Sequence, residues 1–523
     1  MTTITSQPAK PEKRRRRKRA AATVAKPEFK VAPPGLAGGR YRPLTAEQIE
    51  RIYQAALVVL EETGIEVMPS PCREVWRRAG ARIDADRNRV FIPPSLITAA
   101  LATAAREVRL CGQDSEHDLT LGGTRVHMGT GGAAINVLAL DGQVRETRLQ
   151  DLYDIGRLVD SLRNIHFYLR PVVARDIPLE ALDLNSYYAC LTATRKHVMG
   201  NSYSPEKVQE IVRLAAMISG GEGALRERPI ISWTNCWMVS PLRYAAETVE
   251  VLDEIVRQQM PVVISSAPQA GATSPAALAG TLVQLTAEQL SGLTYLNLLR
   301  PGHPVVLGFV PCVVDLRTGS FSGGSPEFAL MNAAAAQLTQ HLGVPIYNSA
   351  ALTDSKFPDI QAGYEKGLSS AAAALAGANY IHQSAGFLDS MATVAYEQYV
   401  IDDDLNGSVM RMVRGIEVND ETLSVDVIHE VCGGEGHYLG HPQTLGRMNT
   451  EYYYPHTGDR NTRGAWTEAG AKQMCQRARQ RASEVLQTHW PQHISDELDA
   501  RIRAEFNILL PREQMKAPED IPA

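Results

Sequence analysis

The chain has 523 residues, 44% of them hydrophobic and 21% charged, a balance that suits a globular enzyme with a large core and excludes collagen-like and disordered classes. The formal net charge of −5 is unevenly spread: residues 1–40 hold eleven Lys or Arg against Glu12 and Glu28, a balance of +9, which leaves −14 for the remainder. An acidic body of this kind does not attract nucleic acid by itself.

Residues 1–40 contain few large apolar side chains, and Lys13 to Arg19 are all basic, so this stretch is expected to be a solvated, disordered tail. It carries no apolar h-region behind the basic run, so no signal peptide is expected. Seven scattered cysteines without a C-x-x-C pair point to a reducing compartment without a disulfide framework. The longest uncharged run, Pro261 to Ala287, is broken by Ser, Gln, Gly, Thr and Pro and reads as strand, loop and helix rather than a membrane span. A cytoplasmic protein is expected.

Residues 41–150 read as a helical and β-hairpin section. Ile49, Ile52, Tyr53, Ala56 and Leu60 recur at helical spacing behind a Thr45–Gln48 capping box,. Further helices are predicted over Pro69 to Ala79 and Ile92 to Ala105, the latter entered through Pro93 and Pro94,. Short β runs follow, among them Val126-His-Met-Gly-Thr-Gly-Gly132 and an Asp141-Gly142 turn,. The glycine run lacks the Lys-Ser or Lys-Thr of a P-loop and no nucleotide is expected there.

Over residues 151–425 a period appears. Strands are predicted to begin near Ile165, Lys196, Pro229, Pro261, Pro304, Val344 and Ala378, with helical sequence in each gap. Alternation at this interval implies parallel pairing, and a (β/α)8 TIM barrel is the fold expected, with an open doubly wound sheet second. An eighth strand is not evident; it falls near Gly415 to Val425 or within the N-terminal section. Residues 426–523 read as a Gly/His loop followed by helices.

In a barrel, chemistry sits where the strands end. Those positions hold Arg170, Asn201, Ser202, Trp233, Asn235, Trp237, Ser265, Gln269, Phe309, Asn348, Asp354, His382 and Gln383. The set is rich in aromatic and neutral groups and has no Ser-His-Asp order. Aromatic faces attract quaternary ammonium ions, so Trp233, Trp237 and Phe309 are either substrate-facing or core residues. His382 either handles substrate or is a satisfied core histidine. Glu397 either faces the mouth or lies on a solvated helix face. His437 and His441 stand four apart in a Gly-rich loop without H-E-x-x-H, so no metal site is expected.

The chain also resembles the trimethylamine methyltransferase family. The matching stretches are Gly129-Thr-Gly-Gly132, Ser240-Pro-Leu-Arg-Tyr244, Ala267-Pro-Gln-Ala-Gly-Ala-Thr-Ser-Pro275, Gly324-Ser-Pro-Glu-Phe-Ala-Leu330, Leu352-Thr-Asp-Ser-Lys356, Asp359-Ile-Gln-Ala-Gly-Tyr-Glu-Lys366, Leu375-Ala-Gly-Ala-Asn379 and Gly436-His-Tyr-Leu-Gly-His441. The resemblance implies a TIM barrel that passes a methyl group from a methylated amine to the cob(I)alamin of a separate corrinoid protein. Only ordinary residues are present, so the chain is similar to the branch without pyrrolysine, which includes glycine betaine demethylases. The segment Val431-Cys-Gly-Gly-Glu-Gly-His437 departs from the family's Val-Gly-Pro-Gly-Gly-His.

These readings together assign His382, Asp354 and Glu397 to catalysis. They assign Trp233, Trp237, Phe309, Asn348, Gln383, Arg170 and Lys356 to substrate, and Ser265, Gln269, His437 and His441 to the corrinoid. Arg170, Lys356 and His382 are the options for holding a betaine carboxylate. A homo-oligomer without nucleic-acid or membrane partners is expected. The competing reading is a barrel that binds a quaternary amine without chemistry.

Overall fold

The computed structural model describes residues 30–434 and 436–517. Each of the seven predicted apolar runs becomes a strand: β2 Tyr168–Leu169, β3 Val198–Gly200, β4 Ile231–Asn235, β5 Val262–Ser266, β6 Val305–Phe309, β7 Ile346–Ser349 and β8 Tyr380–His382. They pair in parallel in that order. The missing strand is β1, Arg125–Met128, which pairs in parallel with β8.

The ring closes between β1 and β2. The His166 N–H donates to the Met128 carbonyl at 2.7 Å, and the Thr130 hydroxyl to the Leu169 carbonyl at 2.6 Å. The barrel therefore opens at Arg125, inside the section that sequence assigned to the N-terminal additions, and not at residue 151. Gly415 to Val425 supplies no strand.

Eight helices alternate with the strands: α1 Leu149–Ser161, α2 Leu179–Ala193, α3 Pro205–Ser219, α4 Ala246–Arg257, α5 Leu278–Leu299, α6 Pro326–Leu342, α7 Ile360–Ala376 and α8 Tyr396–Arg414. α6 shows why these segments form helices where they do. Pro326 occupies its first turn, the Ser325 hydroxyl caps it, and Gly343 ends it in the left-handed region,.

The three predicted N-terminal helices form over Ala46–Val58, Ser70–Arg78 and Pro94–Thr103, with the Thr45–Gln48 capping box in place. All three pack on α5. The tail assigned to residues 1–40 reaches into the fold: Leu36–Ala37 pairs antiparallel with β1. The basic run Lys13 to Arg19 lies outside the described residues. The C-terminal helix Met474–Thr488 packs on α8 and α1. No helix among the described residues is long and apolar enough to cross a membrane.

One buried ion pair joins the last two barrel helices. Lys366 of α7 lies 3.1 Å from Asp402 of α8, both without exposure. Lys366 also donates to the carbonyls of Ala351 at 2.6 Å and Phe387 at 3.0 Å. Asp402 accepts from the Gly386 N–H at 2.7 Å and from Gln398 at 2.8 Å. Burial drives the lysine down and the carboxyl up, each toward its neutral form,. The contacts tie the loops that follow β7 and β8 to their helices. Lys366→Met leaves Asp402 buried without its cation and is expected to cost about 3–5 kcal/mol in denaturant unfolding. A loss under ~1 kcal/mol would show that the loops hold without the pair.

Candidate active site

Side chains alternate across each strand, and partners in a parallel ladder face the same way. One face runs Ser265, Gly308, Tyr347, Tyr380 and His127, with Ser349 beside His382. The other runs Ile264, Leu307 and, one step on, Phe309 beside Asn348.

The first face is the barrel interior. The Tyr347 hydroxyl reaches Thr234 of β4 on the opposite wall. The Tyr380 ring lies 3.5 Å from Phe167 and 5.5 Å from Tyr347, and Tyr347 lies 3.9 Å from His382, all stacked. These rings form the floor of the mouth. Above them Ser349 hydrogen-bonds the side-chain oxygen of Gln383. Cys236 follows Thr234 by two residues, exposed, its sulfur 3.3 Å from the Ser265 hydroxyl.

His382 is 4% exposed, and neither ring nitrogen has a partner among the described residues. Burial alone pushes its imidazole down to about 3, so it is neutral at pH 7. It is not a satisfied core histidine. The glycine stretch Gly129-Thr-Gly-Gly132 holds it in place. A Cβ on Gly131 would stand 2.4 Å from the Gln383 nitrogen and 2.9 Å from His382 Nδ1, and one on Gly129 2.5 Å from the Phe167 ring. Loop 8 is strained as well: Gln383, Asp389, Ser390 and Met391 all have positive φ, a feature that gathers at functional sites.

The aromatic trio from the strand ends faces the other way. Trp233 lies against Tyr187 of α2 and donates to Ser202 at 2.9 Å. Trp237 lies tilted against Tyr244, ring centroids 4.3 Å apart, and abuts Gly292 of α5. Phe309 shares its face with Asn348, whose amide donates to the Phe309 and Asn332 carbonyls, the latter on α6. All four fill the layer between sheet and helices, and none lines the mouth. The reason is parity: Thr234 and Cys236 take the inward positions, which turns Trp233 and Asn235 outward.

Asp354 and Glu397 are structural in position. Asp354 accepts from the Ser322 hydroxyl at 2.7 Å, the Gly323 N–H at 2.9 Å and the Ser390 hydroxyl at 2.7 Å, so it staples the loops after β6, β7 and β8 together. Glu397 is buried in the first turn of α8 and bonds Arg479 of the C-terminal helix at 2.8 Å.

The three groups expected to hold a betaine carboxylate differ as sharply. Lys356 is exposed, 3.4 Å from Asp389. His382 is neutral. Arg170 is buried beyond the end of β2, and among the described residues its guanidinium has no hydrogen-bond or ion-pair partner. Asp183 of α2 feels its field without contacting it; burial raises that carboxyl to about 6.

Ser265 and Gln269 lie at the mouth, where Gln269–Ala270 pairs with Cys312–Val313 above β5 and β6. His437 and His441 belong to the segment that follows α8, where His441 lies 3.5 Å from Glu430 and accepts from the Gln443 N–H at 3.1 Å.

A cavity of about 730 Å³ lies at the end of the barrel away from the mouth. It is lined by the Asp160–His166 turn, Lys196 and Tyr452 to Tyr454. Its lysine already donates to the carbonyls of Val159, Leu162 and Ile165, each at 2.6 Å. Barrel enzymes work at the C-terminal strand ends, and the unpaired histidine, the strained loop and the inward polar groups agree on the mouth.

A closed parallel barrel with this mouth is the framework of a barrel enzyme. A profile of the family described as trimethylamine methyltransferase (MTTB) matches residues 12–508, and the chain belongs to that family; it is a methyltransferase. It is 32% identical to the glycine betaine methyltransferase of Desulfitobacterium hafniense (strain Y51) over 467 residues, 89% of this chain and 96% of that protein. It is 34% identical to the trimethylamine methyltransferase MttB of Methanosarcina thermophila over 454 residues, 85% of this chain and 92% of that one. The solved monomethylamine methyltransferase (MtmB) of Methanosarcina barkeri superposes with a TM-score of 0.45 at 13% identity, covering 89% of this chain and 98% of that one.

Two outcomes follow from the geometry. Trp237→Ala and Phe309→Ala are expected to lower unfolding stability by about 3–5 kcal/mol each without changing substrate selectivity; selectivity changes at full stability would return them to the mouth. For His382, the folded imidazole titrates at about 3 against 6.5 in the unfolded chain. Its contribution to stability is present above pH 6.5 and is lost as pH falls toward 3. His382→Gln should therefore lose less stability than the parent on acidification below pH 6.5, read as denaturation midpoints. Parallel loss in both proteins would place the imidazole in water.

Proposed function

We propose that this methyltransferase moves a methyl group from a quaternary amine, a betaine in particular, to the corrinoid of a carrier protein. The single observation that supports this reading is the neutral mouth. Its floor is stacked aromatic rings and an uncharged imidazole, its walls are hydroxyls and an amide, and no carboxylate is among the inward groups named above.

Such a mouth suits a leaving group that needs no acid. A quaternary nitrogen carries its charge without a proton. When the methyl carbon leaves, the C–N electron pair stays on nitrogen and a neutral tertiary amine departs. Burial cannot switch that leaving group off, whereas a protonated trimethylamine readily loses its proton in a desolvated site. The reduced corrinoid, delivered by its carrier, would supply the nucleophile that takes the methyl group.

The chain's own residues then position and desolvate. The edge of Tyr347 and His382 presents polarisable ring faces to the cation. Ser349 fixes Gln383, whose amide can orient the substrate. Parity turns Arg170 outward with Tyr168, toward α2 and its Asp183 and Tyr187, so the carboxylate of a betaine is assigned to Lys356, exposed on the loop after β7. Ser265 and Gln269 are assigned to the rim that meets the corrinoid.

The test is a methyl-transfer assay with cob(I)alamin, followed by the change in corrinoid absorbance, on glycine betaine, choline and trimethylamine. Betaine is expected to react best. Lys356→Gln should slow betaine at least tenfold and leave choline, which has no carboxylate, unchanged. A preference for trimethylamine, or turnover at full rate without any corrinoid, would overturn the reading.

A further inference from the structure

The inward row at the level of the mouth is uneven. Asn235 of β4 pairs with Ile264 of β5, so Cys236 stands level with Ser265, and the thiol meets that hydroxyl at 3.3 Å. The row continues through Gly308 of β6 to Tyr347 of β7. A Cβ at Gly308 would stand 2.5 Å from the Ser265 Cα, so β6 adds no side chain. Between Cys236 and Tyr347 the row therefore holds one hydroxyl and bare backbone. From β7 onward it is filled by rings: Tyr347, Tyr380 and, one pleat nearer the mouth, His382. The side of small groups is the one that a substrate head can occupy.

Tyr347 crosses between the two halves. Its hydroxyl reaches Thr234, one pleat below Cys236 on β4, and His382 stacks on its ring at 3.9 Å. β4 and β8 face each other across the ring of eight strands, so thiol and imidazole come to the same phenol from opposite walls. The two are complementary. The imidazole is buried with both nitrogens unpartnered among the described residues, a cost to stability that a bound polar group relieves. The thiol is exposed.

We propose that Cys236 is the specificity-determining wall of the substrate seat. The methylated head packs between its sulfur and the Tyr347–His382 rings, and the size of the side chain at 236 sets which heads fit. The inference rests on the substrate reading above and adds to it the residue that meets the head. A thiol behaves as a small, polarisable apolar group with a weak S–H. Here Ser265 satisfies that S–H, and the rest of the sulfur surface is left for methyl groups. A charged side chain in its place would hold water against the head and oppose its desolvation.

Iodoacetamide labelling of the full chain, followed by peptide mass spectrometry, reads each thiol separately. Cys236 and Cys432 are both exposed, and Cys432, on the segment after α8, is the internal reference. Glycine betaine at about ten times its Kd should slow the labelling of Cys236 about tenfold and leave that of Cys432 unchanged. In turnover with cob(I)alamin, Cys236→Ala should shift relative kcat/KM from glycine betaine toward N-ethyl-N,N-dimethylglycine by about tenfold, the effect of one methylene in an apolar seat. Cys236→Leu should raise KM for glycine betaine by a similar factor, and Cys236→Ser, which keeps the size, should restore it. The labelling arm uses the wild-type chain and holds even if a variant misfolds. Equal labelling of Cys236 with and without every amine that the enzyme demethylates, or unchanged selectivity in a folded Cys236→Ala, would overturn the proposal. If glycine betaine neither reacts nor protects while another methylated amine does both, the substrate reading falls and the assignment of Cys236 stands.

Discussion

The mouth of this barrel depends on one buried ion pair. Lys366 and Asp402 sit on neighbouring helices, out of water, and each spends its remaining hydrogen bonds on loop backbone. Desolvating two charges is costly, and an apolar pair of the same shape would often be as stable. What an apolar pair cannot do is hold the Ala351 and Phe387 carbonyls and the Gly386 N–H at fixed points. Those groups belong to the two loops that carry Ser349, His382 and Gln383 onward from their strands. The positive-φ residues of loop 8 can persist because the surroundings fix them from several sides,.

The interior is organised in layers from the far end upward. His127 and Phe167 lie low, Tyr380 stacks on Phe167, and Tyr347 and His382 close the stack at the mouth. A neutral imidazole on an aromatic floor is a poor acid and a poor base at pH 7. It is a good surface for a cation that carries its charge without a proton. The electrostatics agree with the proposed function, in which the barrel strips water from a methyl donor and aims one methyl outward.

The glycine stretch after β1 has a role that its composition disguised. It looks like an anion loop and works as a spacer. Three glycines in four residues let the chain cross the seam between β1 and β2 while lying against Phe167, His382 and Gln383. The same segment therefore closes the barrel and presses on its site.

The sequence by itself determined the alternation of strands and helices, the parallel barrel, seven of the eight strands and the three N-terminal helices, because apolar runs, caps and helix-ending glycines are local signals. The family was legible too, from ordered motifs. The tertiary structure alone decided four things. The run at Val126 is legible as a short β segment, and the N-terminal section is one of two places expected for the eighth strand. Its place in the barrel is not legible, because β1 is four residues long, is flanked by hairpins and has its partner some 250 residues away,. Which face each strand turns inward is a question of parity, and a one-residue shift exchanges every side chain; that is why Tyr347 and Thr234 line the barrel while Trp233, Trp237, Phe309 and Asn348 pack behind it. Lys366 and Asp402 become partners only when α7 and α8 lie side by side. His437 and His441, assigned by motif to the corrinoid, ride on the segment after α8, whose course no reading of spacing could locate.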